Sequence, residues 1–161
     1  MEQNNFDIKK IKVHRSTEST VFEIVFTLTA IVVWALIIWL VSSAPDIVPT
    51  HFDASGKPNA YGSPAGILIP CAIVTIAAVA CMVCAYFPRN VNMPFKIKNI
   101  HQVELAIRSL RVTGVTLLLM PLAIAYTLLG MNSPSPSLIL AVVGLLLVEI
   151  IIFTILVYRT R

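Results

Sequence analysis

Residues with chemical potential gather at two places in this sequence. The first is a polar stretch, 44–66, in which Asp46, His51, Asp53, Ser55 and Asn59 are interleaved with Pro45, Pro49, Pro58, Pro64, Gly56, Gly62 and Gly66. Carboxylate, imidazole, hydroxyl and amide groups at this density are hard ligands and hydrogen-bonding groups. Their spacing matches neither an EF-hand loop nor a zinc site, so no metal is expected. A His–Asp pair near a serine is no triad without geometry. The sequence holds no H-E-x-x-H, G-x-S-x-G or phosphate loop and no pair of intramembrane aspartates, so neither catalysis nor a cofactor is expected. An imidazole changes charge near neutral pH. His51 therefore has the chemistry of a pH sensor, although a structural hydrogen bond is the simpler role.

The second place is Glu149, a lone carboxylate in the apolar run 138–158. A charge at that depth costs at least roughly 2.5–3.5 kcal/mol on insertion scales and faces the interior of a helix bundle. By depth its partner is expected to be Arg111, or else Thr113, Thr116 or Tyr126. It reads either as a proton or cation relay or as a hydrogen-bonded clasp between helices. Cys81 and Cys84 form a C-x-x-C inside another apolar run, where small residues serve helix packing.

The elements that must position these groups are membrane spans. The 161 residues are 57% hydrophobic and only 12% charged, with mean hydropathy +0.85; soluble domains are about a quarter charged. Four runs, 21–41, 67–87, 110–129 and 138–158, are each long enough to cross about 30 Å of hydrocarbon. The run 21–41 is too long for a signal peptide and has no cleavage site. One four-helix unit, 1–161, accounts for the chain.

A net charge of +4 does not indicate nucleic acid, because the basic residues are distributed by membrane side. Lys9, Lys10, Lys12 and Arg15 precede the first run. Arg89, Lys96, Lys98 and Arg108 lie between the second and third, and Arg159 and Arg161 follow the fourth. The first loop holds only Lys57, and the third, 130–137, holds none. By the positive-inside rule both termini are cytoplasmic and the His51 loop faces outside. The fold expected is an all-α integral membrane protein with four transmembrane helices and a short ordered extracytoplasmic loop between the first two.

Local signals refine this. Residues 1–20 read as a loosely ordered cytoplasmic lead-in, and Glu23 as solvated. Trp39 suits the outer interface. Asp53-Ala-Ser-Gly reads as a turn whose carboxylate bonds amides two residues on, and residues 48–52 as a short extended piece. The glycines are expected to supply conformations other residues avoid. This Pro lattice argues for an ordered cap over the helix ends. Asn90, Asn92 and Pro94 mark an irregular cytoplasmic turn. Beyond it, Ile100, Val103, Ile107 and Leu110 stripe a helix beside His101, Glu104, Arg108 and Arg111, with Glu104 and Arg108 spaced as an i,i+4 pair. This reads as an interfacial helix entering the third span, which Pro121 should bend.

The segment Pro45-Asp-Ile-Val-Pro-Thr-His-Phe-Asp-Ala-Ser-Gly-Lys-Pro-Asn-Ala-Tyr-Gly-Ser resembles the signature of a bacterial membrane family, domain of unknown function sixteen-forty-eight. Arg89-Asn-Val-Asn-Met-Pro is similar to a second part of its pattern, and the likeness runs from about Ile37 to Leu129. The family is best known as the N-terminal part of SdpI-like proteins, which confer immunity to a secreted peptide toxin and help signal its presence. Those proteins carry a further set of spans with its own signature, which these residues lack. The resemblance therefore implies architecture, and a shared site at Pro49, His51, Phe52, Asp53, Gly56, Pro58, Asn59 and Gly62, more than it implies immunity.

The function expected is non-enzymatic: a bacterial cytoplasmic-membrane protein whose outer loop recognises a peptide, a partner membrane protein or an envelope component. Toxin immunity or stress signalling is the specific version. The alternative is a small oligomeric transporter or channel using Glu149.

Overall fold

In the computed structural model, residues 11–53, 55, 57–88, 97–130 and 136–160 are described. Among them, four helical segments are long and apolar enough to cross a membrane: Thr17–Ser43, Pro64–Cys84, Ile100–Leu129 and Ser137–Arg159. These are α1 (Thr17–Ser43), α2 (Leu68–Cys84, entered by the 3-10 turn Pro64–Ile67), α3 (Ile100–Leu117) continued by α4 (Leu119–Leu129), and α5 (Ser137–Arg159). Between α1 and α2 lies one antiparallel hairpin, β1 (Val48–Phe52) and β2 (Pro58–Gly62), so the fold is helical with a small sheet rather than purely α.

The helix starts follow from capping chemistry. α1 begins at Thr17, four residues before the apolar run, because Ser16 and Ser19 form a reciprocal capping box with both N–H···Oγ distances 3.2 Å. Ser63 accepts from the Ala65 amide at 3.3 Å, and Pro64 supplies the fixed φ that suits a first helical position. Asn99 caps α3 by accepting from the Gln102 amide at 2.9 Å, while its Nδ2 donates to the Thr160 carbonyl at 2.8 Å. One side chain thereby starts α3 and pins the end of α5.

The third span is interrupted as Pro121 requires. Pro121 has no N–H for the Leu117 carbonyl, and the helix tightens at Leu118, whose amide bonds the Val115 carbonyl at 3.2 Å. The first part of α3 is no surface-lying interfacial helix. It packs against both α2 and α5, and Gln102, Val103, Leu105, Ala106 and Ile107 are all buried. Gly114 allows the close approach to α2: a Cβ there would lie 3.1 Å from the Ala78 carbonyl oxygen and 3.2 Å from Met82 Cγ.

Two apolar clusters hold the ends. Val33, Ile37 and Leu40 of α1 meet Ile67, Cys71 and Ala125 at the hairpin end. Ala85, Val103 and Ile107 form the other cluster, with Ile11, Val13, Ile97 and Leu110 packed on it. The three cysteines are unpaired, and the Cys71 thiol donates to the Pro121 carbonyl at 3.4 Å. Val157 is the one fully buried residue of α5; the helix packs on α3 and α4 along one side and presents many apolar side chains outward along the other, as a lipid-facing span does.

Candidate functional site

The hairpin is built by its own polar residues. Asp53 Oδ1 accepts from the Ser55 amide (2.8 Å), the Ser55 hydroxyl (2.7 Å) and the Lys57 amide (3.0 Å). The Asp53 amide donates to the Lys57 carbonyl at 2.9 Å and closes the turn. These donors, the Ser55 hydroxyl foremost, hold the Asp53 carboxyl below its ordinary range by stabilising the anion. Asp53 is thus a turn-forming residue before it is anything else.

Register irregularities decide where the other side chains point. Val48 pairs with Gly62, Pro49 with Tyr61, His51 with Ala60 and Phe52 with Pro58, so Thr50 on β1 and Asn59 on β2 are extra residues. Such bulges re-aim side chains. Here His51 Nδ1 comes 2.6 Å from Asn59 Oδ1; with the carbonyl oxygen accepting, Nδ1 carries the proton. His51, Asp53, Pro58 and Asn59 are exposed, and Pro49, Phe52 and Gly62 are partly covered.

Gly62 and Gly66 adopt no left-handed φ, contrary to the expectation that these glycines serve unusual backbone conformations. Gly62 instead sits against Thr50, whose Cγ2 would be 3.3 Å from an added Cβ, and nothing crowds Gly66. Gly56, Asn92 and Pro94 lie outside the described residues. Val48 is buried and β1 packs on α4, so the hairpin is fixed to the bundle by its first strand. Among the described residues no three His, Cys, Asp or Glu side chains gather as a metal ion would require.

Glu149 is placed with Thr116, not Arg111. The Thr116 hydroxyl donates to Oε1, while Oε2 is buried without a hydrogen-bond partner. Arg111 lies about one and a half turns before Thr116 on α3. It donates to Ser19 Oγ at 2.7 Å and sits over the rings of Tyr86 (5.6 Å) and Phe22 (6.0 Å). Nor is Glu23 merely solvated: it accepts from the Tyr86 hydroxyl and from Arg15 at 2.5 Å. Glu104 and Arg108 lie within each other's field but form no contact ion pair. Arg108 turns to Glu18 on α1 with two bonds, Nε–Oε1 2.7 Å and Nη2–Oε2 3.0 Å, and Glu104 faces His101 at 3.3 Å. A single-helix pattern misses the Arg108–Glu18 pair because Glu18 belongs to another helix.

Residues 28–75 match the DUF1648 family, a domain of unknown function. The DUF1648 match takes in the second half of α1, the whole hairpin and the start of α2. It ends well short of Leu129, so the cytoplasmic-turn likeness lies outside it. An uncharacterized protein of Archaeoglobus fulgidus is 29% identical over 109 residues, covering 62% of this chain. The chain spans about 60% of that relative's length. No solved structure matches.

Proposed function

We propose that this chain is a non-enzymatic, multi-pass protein of the bacterial cytoplasmic membrane that uses the DUF1648 hairpin, facing outside, to recognise a peptide, a partner membrane protein or an envelope component. The observation that carries the reading is one of geometry. A hairpin shaped by internal hydrogen bonds, and anchored through Val48, offers His51, Asn59 and Tyr61 to its surroundings. Tyr61 is 63% exposed. A rigid presentation lowers the ordering cost of binding, which is what a recognition loop needs. Both termini then lie in the cytoplasm, in keeping with the basic residues at that end. The resemblance to SdpI-like proteins makes toxin immunity or stress signalling the specific version.

The test is crosslinking and co-purification from native membranes, comparing wild type with a His51→Ala/Asp53→Ala variant at matched expression. A partner captured by wild type and lost in the variant supports recognition. Equal capture by both, or no partner with either, counts against it.

A second reading rests on Glu149, whose unpartnered Oε2 is unusual for a group at that depth. It makes the protein an oligomeric transporter or channel with an intramembrane proton or cation site. Flux in proteoliposomes that Glu149→Gln leaves unchanged would sink it.

A further inference from the structure

At the end of the bundle opposite the hairpin, a cavity of about 360 Å³ opens between the start of α1 and the first half of α3. Ser16, Glu18, Ser19, Glu104, Arg108 and Arg111 line it. Arg111 is the anomaly. It is 4% exposed, its charge is permanent, and its only described hydrogen bond goes to a neutral hydroxyl, Ser19 Oγ. The Tyr86 and Phe22 rings offset part of the charge. A buried guanidinium is nevertheless costly without an anion in contact.

The nearby carboxylates are engaged elsewhere. Arg108 takes both oxygens of Glu18; Glu23 is held by Arg15 and Tyr86; Glu104 stands at the rim opposite His101. Among the described residues none of them forms an ion pair with Arg111, although Glu18 and Glu23 lie within its field. α1 also begins at this cavity, and the first turn of a helix favours negative charge.

We propose that this cavity is a binding site for a phosphate group, held by the Arg111 guanidinium with the Ser16 hydroxyl at the start of α1; Ser19 Oγ, already bonded by Arg111, the Ser16 amide and Ser16 Oγ, positions the guanidinium. The planar fork of an arginine matches paired phosphate oxygens, and its remaining donors are free of described partners. The cavity lies where the charged residues of α1 and α3 give way to apolar runs. A phospholipid headgroup or free inorganic phosphate can supply the group.

The test uses the full chain, delipidated in detergent micelles. Binding is measured for inorganic phosphate, dioctanoyl phosphatidic acid, dioctanoyl phosphatidylglycerol and, as the phosphate-free control, dioctanoylglycerol. Binding of the phospholipids alone identifies the headgroup as the source, and binding of inorganic phosphate as well identifies the bare anion; dioctanoylglycerol should bind at background. Arg111→Lys keeps the charge without the fork and should weaken binding by at least about threefold; Arg111→Met should weaken it by at least about tenfold. If Arg111→Met is not monodisperse, Arg111→Lys and Ser19→Ala decide. Failure of the wild type to bind either phosphate or phospholipid, binding equal to that of dioctanoylglycerol, or undiminished affinity in well-folded variants would overturn the site.

Discussion

Replacing Glu149 by leucine should make the protein more stable. The carboxylate has one oxygen bonded by Thr116 and one buried with no partner. A buried polar atom left unpaired costs about 1–3 kcal/mol. The bond to Thr116 returns less, since interhelical hydrogen bonds in membranes average about 0.6 and reach about 1.7 kcal/mol. In the variant, the Thr116 hydroxyl can turn to the carbonyl one helical turn back, so it need not be orphaned. The difference predicts a net gain of about 0.5–2 kcal/mol for Glu149→Leu. Glu149→Gln, which keeps an acceptor for Thr116, should stay within about 1 kcal/mol of wild type. Reversible unfolding in mixed micelles, followed by tryptophan fluorescence, measures both. If Glu149→Leu instead loses more than about 1 kcal/mol, the carboxylate is a satisfied clasp and the reasoning from its unpaired oxygen fails. A stabilised variant would identify Glu149 as a residue retained against stability, and flux measurements on Glu149→Gln would become the decisive companion.

Other predictions follow from particular contacts. Because the native hairpin lowers the Asp53 carboxyl, its contribution is fully present above the unfolded carboxylate range near pH 4 and is lost as pH falls through the lower native value. Amide exchange at Ser55 and Lys57 should therefore stay protected from neutrality down to about pH 4 and open below it, while Asp53→Ala opens both at every pH. Constant protection well below pH 3, as judged against helix amides, would show that the turn does not need the anion. Gly114→Leu should cost about 1–3 kcal/mol in micelle unfolding, because the added side chain meets the Ala78 carbonyl and Met82; a neutral result would mean that α2 and α3 can separate freely. Gln102 is fully buried, accepts from the Lys98 amide at 2.8 Å and donates to the Val157 carbonyl at 3.2 Å. Gln102→Leu leaves the Lys98 amide without its acceptor, while the Val157 carbonyl keeps the Thr160 hydroxyl at 3.0 Å, so a loss of about 1–3 kcal/mol is expected in the same assay.

How much of this was legible in the residues depended on how local the cause was. The Asp53 turn needs only neighbours within four positions and stands in the structure as the residues suggested, as does the extended run before it, which pairing with residues 58–62 holds in place. The hairpin's bulges, which bring His51 to Asn59, are settled by register between two strands and leave no mark in a linear pattern. Arg111 shows the opposite failure. Depth alone pointed it at Glu149, yet α1 supplies Ser19 and Phe22, and α2 leads to Tyr86, all nearer to it. Gln102 is fully buried although His101 and Glu104 close to it on α3 are exposed, so the local charge pattern does not mark its place in the core.

Composition and run length by themselves marked four segments long and apolar enough to cross a membrane, and the described residues form helices over all four. They also marked the segment between the first two helices as the place of fixed shape, through its Pro, Gly and Asp residues. Only the tertiary structure decided which face of each helix turns inward. Along α1, Val33, Ile37 and Leu40 are buried while Val32, Leu36 and Ile38 are exposed. These side chains do not differ in hydrophobicity. In water, burial sorts apolar from polar residues; in lipid, both environments are apolar, so packing shape and a few polar contacts choose the interface, and neither is written in hydropathy.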